Sequence, residues 1–309
     1  MKLALVFPGQ GSQSIGMMEA YGDAPVVRAT FDEASAALGQ DLWQLAAEGP
    51  AEALALTVNT QPLMLAAGVA VYRLWRERGG AEPALVAGHS LGEYSALVAA
   101  GALEFRDAVP LVRLRARAMQ EAVAAGQGAM AAILDLDEEG VGAACAEAAQ
   151  GEVVSAANFN GPGQTVIAGH AAAVARAAAA ARAKGAKRAV MLPVSAPFHC
   201  SLMRSAGDKL QAHLETLAVA CPRVPVLHNA DVQAHGDPQA IREALVRQAY
   251  SPVRWSETIQ AMAQQGVTHV YECGPGKVLA GLTRRIAGTL QGGALADADS
   301  LEQALAETK

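Results

Sequence analysis

Gly88-His89-Ser90-Leu91-Gly92 constrains the fold of this chain more than any other stretch. An apolar run, Ala84-Leu85-Val86-Ala87, leads into it, and Glu93-Tyr94-Ser95-Ala96-Leu97-Val98-Ala99-Ala100 follows with helical character. A Gly-x-Ser-x-Gly set between a buried strand and a helix is the pattern of a nucleophile elbow. The chain reverses so tightly there that the positions two before and two after the serine must be small. The helix that begins at the turn aims free backbone N–H groups at the place where a carbonyl oxygen becomes an oxyanion.

The rest of the chain fits that unit. Leu3–Phe7 reads as a first strand opening into Gly9-Gln10-Gly11-Ser12-Gln13. This loop is not a dinucleotide fingerprint, because Ser14 holds the third glycine position and no acidic residue closes a second strand. Gly274-Pro275-Gly276-Lys277 is not a P-loop either, since Val278 replaces the required Ser or Thr. Helical spacing covers Val26–Leu38, Gln61–Arg76 and Asp107–Val123. In the last of these Arg113 and Arg117 share a face and Arg115 points away from both.

From Gly128 the pattern changes. Strand Gly128–Leu134, helix Asp137–Ala149, strand Glu152–Asn158, a turn at Asn160-Gly161-Pro162-Gly163, strand Gln164–Ala168, helix Ala171–Lys184 and strand Arg188–Pro193 follow in order. That is β-α-β-β-α-β, the ferredoxin-like order. Strand Val224–Leu227, helices Pro238–Gln248 and Ser256–Gln265, strand Val267–Glu272 and helix Val278–Leu290 come next, and Ser300-Leu301-Glu302-Gln303 reads as the capping box of a last helix. Alternating strands and helices predict a mostly parallel sheet covered on both faces. The expected fold is α/β. A large α/β-hydrolase-like domain, residues 1–126 and 196–309, carries an inserted ferredoxin-like subdomain, residues 127–195. The cleft between them is the expected site.

Composition excludes several classes. Hydrophobic residues make up 52% of the chain, too many for disorder, yet no apolar run reaches the roughly 18 residues of a membrane span. Because Met1-Lys2 goes straight into a strand, no signal peptide is expected, and the expected location is cytoplasmic. A net charge of −6 argues against nucleic-acid binding. Two basic clusters, Arg176–Arg188 and Lys277–Arg285, read as solvated helix faces, with docking of an acidic partner as the alternative. Cys145, Cys200, Cys221 and Cys273 lack metal or redox spacing and are expected to be buried thiols.

A serine needs a base. Of the seven histidines, His89 lies inside the elbow with its ring directed away from Ser90, and His213, His235 and His269 read as surface. His170 reads as a cap or surface residue. His199 stands where the inserted unit returns to the large one, beside the predicted cleft, and His228 at a strand end is the second choice.

Phe7-Pro8-Gly9-Gln10-Gly11-Ser12-Gln13, Gly88–Tyr94, Arg115 ahead of Met119-Gln120-Glu121, Asn158-Phe159-Asn160, Pro197-Phe198-His199 and Glu272–Gly276 occur in that order. Together they resemble the malonyl-CoA:acyl carrier protein transacylases of type II fatty acid synthesis, over essentially the whole chain. The resemblance implies a Ser90 nucleophile and a His199 base oriented by the backbone carbonyl of Gln248. It implies an oxyanion hole from the N–H groups of Gln10 and Leu91, and an Arg115 that clamps a malonyl carboxylate. Asn160 would line the same cleft, and Phe198 would crowd the acyl α-carbon and favour malonyl over methylmalonyl. The implied reaction is ping-pong transfer of malonyl from malonyl-CoA, through a Ser90 ester, to the phosphopantetheine thiol of acyl carrier protein. Neither metal nor other cofactor is implied, and a monomer is expected. The rivals are a free-standing acyltransferase that loads a polyketide synthase, a serine esterase or thioesterase, and a non-catalytic carrier-binding module.

Overall fold

The structure, a computed structural model, describes residues 1–308. In chain order the first elements are β1 (Leu3–Phe7), α1 (Pro25–Leu38), α2 (Leu42–Glu48), α3 (Ala51–Ala55), α4 (Thr57–Glu77), β2 (Leu85–Gly88), α5 (Gly92–Ala99) and α6 (Phe105–Glu121). Then come β3 (Gly128–Leu134), α7 (Glu138–Ala149), β4 (Val154–Gly161), β5 (Gln164–His170), α8 (Ala171–Ala183) and β6 (Arg188–Met191). The chain finishes with α9 (Arg204–Leu214), β7 (Val226–Leu227), α10 (Pro238–Tyr250), α11 (Trp255–Gln264), β8 (His269–Glu272), α12 (Val278–Ile286) and α13 (Ala298–Glu307).

Two sheets result. One has the order β7-β2-β1-β8 with every pairing parallel. All five residues of β1 and all four of β2 are buried, as strands covered on both faces must be. The helix α4 packs almost wholly inside, from Thr57 to Trp75. The second sheet, order β4-β5-β3-β6, is antiparallel throughout, and α7 and α8 bury their alanine-rich faces against it. The two sheets are tied by β4, which bonds to the segment before α11: Phe159 N–H donates to Val253 O and Val253 N–H to Ala157 O, each at 2.9 Å. Met130, Ala157, Val166, Ala168 and Cys200 form a small core at this junction, with Phe198 against it.

Several boundaries differ from the sequence reading. The strand β4 runs on to Gly161, so Asn160 lies on the strand and only Pro162 and Gly163 form the turn. Three helices, α2, α3 and α9, have no counterpart in it. The last helix begins at Ala298. Its cap is Asp297, whose side chain accepts from Ser300 N–H, so Ser300 is the last residue of the capping box rather than its first. Cys221 is exposed, against the expectation for the thiols, while Cys145, Cys200 and Cys273 are buried. Among the described residues no helix is long and apolar enough to cross a membrane.

Candidate active site

Ser90 sits between the C-terminal end of β2 and the start of α5, in the left-handed region at φ +53°. A side chain holds that conformation only if its surroundings enforce it. They do so by crowding: a Cβ on Gly88 would lie 1.9 Å from the carbonyl carbon of Gly92, and one on Gly92 2.0 Å from Phe7 O. The Asn229 side chain spans the turn, its Nδ2 donating to Gly88 O and its Oδ1 accepting from Ser90 N–H, both at 2.7 Å. Ser90 N–H is thereby occupied. Those of Gln10 and Leu91 make no hydrogen bond among the described residues, and both residues line the cavity in front of Ser90.

His199 also lies in the left-handed region, at φ +61°. Its Nδ1 is 2.9 Å from the Gln248 carbonyl and its Nε2 2.7 Å from Ser90 Oγ. A carbonyl only accepts, so Nδ1 carries the proton and Nε2 is left to accept from the Ser90 hydroxyl. Burial, and next the Arg115 charge, push the pKa of His199 down to about 3, which keeps the ring neutral and its Nε2 lone pair free.

Arg115 points from α6 into the same space and is 1% exposed. Its Nη1 donates to Gln61 Oε1 and its Nη2 to Gln248 Oε1, each at 2.9 Å, and Nη2 reaches Ser90 Oγ at 3.2 Å. The guanidinium lies 5.3 Å over the Tyr94 ring. No carboxylate neutralises it directly, and burial lowers its pKa from the ordinary value. The enclosing cavity measures about 220 Å³. Asn160 Oδ1 accepts from His89 Nε2 at 2.8 Å, and half-buried Phe198 closes one side.

The structure thus brings together Gln10, Ser90, Leu91, Arg115, Asn160, Phe198, His199 and Gln248. It removes the second-choice base: His228 is fully buried and bonds through Nδ1 to Glu93 Oε1 at 2.7 Å, not to Ser90. His170 occupies the N-cap position of α8 but makes no side-chain cap, because its Nδ1 accepts instead from Val153 N–H at 2.9 Å. Half-buried His235 is paired with Asp231, so it is not a free surface residue. Cys200 Sγ faces Pro197 O at 3.1 Å and takes no part. Sequence reasoning missed Gln61, Glu93 and Asn229. Glu93 directly follows the elbow, and a carboxylate in an otherwise apolar helix start was the available signal.

The acyl transferase domain model matches residues 4–291. The chain is 56% identical over 305 residues to the malonyl CoA-acyl carrier protein transacylase of Escherichia coli strain K12, covering 98% of this chain and 99% of that one. A crystal structure of acyl-carrier-protein S-malonyltransferase from Burkholderia pseudomallei 1710b superposes with a TM-score of 0.98 at 60% identity, over 99% of this chain and 100% of the other. A type II PKS acyl-carrier protein in complex with its malonyl-transacylase gives a TM-score of 0.98 at 53% identity, over 99% and 100% of the two chains. With an elbow serine, a backbone-oriented histidine and a buried arginine in one cleft, this chain belongs to the acyl transferase family, among the malonyl CoA-acyl carrier protein transacylases.

Proposed function

We propose that this protein moves malonyl from malonyl-CoA to the phosphopantetheine thiol of acyl carrier protein by a ping-pong mechanism. Ser90 Oγ attacks the thioester carbonyl while His199 Nε2 takes its proton. The coenzyme A thiolate leaves with that proton, and malonyl remains as an ester on Ser90. The carrier thiol then gives its proton to His199 and attacks the ester, and Ser90 Oγ leaves with that proton from His199. Gln10 and Leu91 N–H donate to the oxyanion in both steps, and Arg115 holds the free malonyl carboxylate. Gln248 orients His199 through its carbonyl, while Asn160 and Phe198 bound the acyl pocket. Residues 1–126 and 196–309 form the α/β-hydrolase-like domain, and residues 127–195 the ferredoxin-like subdomain, whose strand order β4-β5-β3-β6 supports that description.

The observation that carries this reading is the pairing on one hydroxyl: His199 Nε2 at 2.7 Å and Arg115 Nη2 at 3.2 Å from Ser90 Oγ. A hydrolase has no evident use for a buried cation beside its nucleophile, and a mere binding module none for the pair. Intact-mass measurement after mixing with malonyl-CoA tests it. Wild type should gain one malonyl group, lose it to added carrier protein, and lose it slowly in water, whereas Ser90→Ala should gain nothing. Rapid loss in water alone would make the protein a hydrolase. The relative bound to a type II PKS carrier favours a second reading of the acceptor alone; transfer rates to a fatty-acid and a polyketide carrier decide between them.

A further inference from the structure

One carboxyl group lies behind the reacting residues and touches none of them. Glu93, on the first turn of α5, is fully buried and bonded at both oxygens. Oε1 faces His228 Nδ1 at 2.7 Å, and Oε2 accepts from Asn229 N–H at 2.9 Å and Gln248 Nε2 at 3.0 Å. Each neighbour on Oε2 in turn holds the catalytic groups. Asn229 clasps the elbow on both sides of Ser90. Gln248 donates from the same Nε2 to Ser90 O at 2.9 Å, accepts from Arg115 at Oε1, and accepts from His199 at its main-chain oxygen. We propose that Glu93 is a positioning residue for this site, a buried carboxylate that sets Ser90, His199 and Arg115 in mutual register through Asn229 and Gln248. The proposal rests on the reading of Ser90 as the acyl acceptor.

The chemistry of the donors makes the arrangement directional. A carboxylate only accepts, so it fixes the Gln248 amide with Nε2 toward Glu93 and therefore Oε1 toward Arg115. Reversed, the amide would set an oxygen against the carboxylate and the Ser90 carbonyl, and an N–H against the guanidinium. Glu93 thus decides which end of the amide the arginine meets. Where many serine enzymes place an acid directly on the histidine, here Gln248 stands between the acid and the ring. A carboxylate that only filled the core would be poorly chosen, since its burial is costly without such donors.

Glu93→Gln keeps the shape but not the direction: an amide both donates and accepts, so it no longer fixes which end of the Gln248 amide meets Arg115. Two rates are read on folded samples, labelling of Ser90 by a fluorophosphonate and single-turnover gain of malonyl mass. Both should fall about 10- to 100-fold, the scale of slightly misplaced reacting groups. The loss should fall on the maximal rate, with the half-saturating malonyl-CoA concentration changed by less than about threefold. In a Gln248→Ala background, which keeps the carbonyl on His199 but lacks the amide, Glu93→Gln should cost less than about threefold more, because the shared path is already cut. An unchanged rate in the folded single variant, or losses that simply multiply in the double variant, would overturn the proposal. If Glu93→Gln does not fold, Asn229→Ser keeps the N–H on Glu93 and removes the clasp; slow labelling supports the proposal and a wild-type rate overturns it. A wild type that takes the fluorophosphonate but never gains malonyl would sink acyl transfer alone, since the positioning effect is read on labelling as well.

Discussion

Both Nη atoms of Arg115 donate to neutral amide oxygens, of Gln61 and Gln248, so the guanidinium is held in place without being neutralised. On the proposed function, a positive charge kept in that state would discriminate between acyl groups that do and do not end in a carboxylate. Arg115→Ala should therefore impair acylation by malonyl-CoA far more than by acetyl-CoA. The difference should be about 2–4 kcal/mol, or roughly 30- to 1000-fold in the ratio of kcat/KM. Arg115→Lys should recover only part of it, because an ammonium cannot bridge the two amides and a carboxylate as a planar fork does. Equal losses with both substrates would make the residue structural. On the proposed function, Phe198 would act on the other end of substrate choice. Its ring borders the cavity and also packs against both the main core and the junction core. Phe198→Ser should raise the methylmalonyl-to-malonyl ratio about 10-fold, since one methyl in a pocket is worth about 1–3 kcal/mol. An unchanged ratio with both activities reduced would leave the ring with its packing role only.

At the level of elements, the strand–elbow–helix unit depends on how closely α5 approaches the end of β1. Gly92→Ala places a methyl 2.0 Å from Phe7 O, a backbone atom with no freedom to swing away. Stability should fall by about 1–3 kcal/mol, the usual penalty for overpacking, and acylation should slow as the elbow shifts. Gly281→Ala on α12 is the matching control, because nothing lies within 4 Å of its added methyl, and it should be neutral or stabilising by about 0.5–1 kcal/mol. Urea melts of the two variants check the pair; equal stabilities would mean the elbow relaxes freely. The elbow was legible in the sequence because it is local: Gly88, Ser90 and Gly92 announce themselves within five residues. The four residues Thr57–Thr60 were not, since the β-branched and polar Thr57-Val58-Asn59-Thr60 lacks helical apolar spacing and becomes helical by packing in the core. Glu93 escaped for a related reason. Its partners His228, Asn229 and Gln248 are 135 to 155 residues away along the chain, beyond anything periodicity reports.

Across the whole molecule, the site draws on Gln61, Ser90, Arg115, His199 and Gln248 from separate elements, and position in the sequence ranked His199 above His228 only by its place beside the predicted cleft. The same burial that assembles these groups writes a pH signature into stability. His199 has its pKa pushed down to about 3, chiefly by burial, against an ordinary 6.5. The unfolded chain therefore binds more protons at this residue between those values, and stability falls as pH drops through that window. Glu272 does the opposite. It is fully buried at the end of β8 with one oxygen unpartnered, and burial raises its pKa from 4.5 to about 7 despite the N–H groups at the start of α12. The folded chain keeps a proton that the unfolded chain loses, so this contribution is present below pH 4.5 and is lost as pH rises through 7. Between pH 4.5 and 6.5 the two slopes, each up to about 1.4 kcal/mol per pH unit, have opposite signs and largely cancel in wild type. Glu272→Gln should remove the falling slope and leave stability rising from pH 4.5 to 6.5. His199→Asn should leave stability falling over the same range and beyond, to pH 7. Urea unfolding of the three proteins at half-unit steps from pH 4.5 to 7.5 measures both, and parallel curves for wild type and both variants would show that neither buried group titrates with the fold.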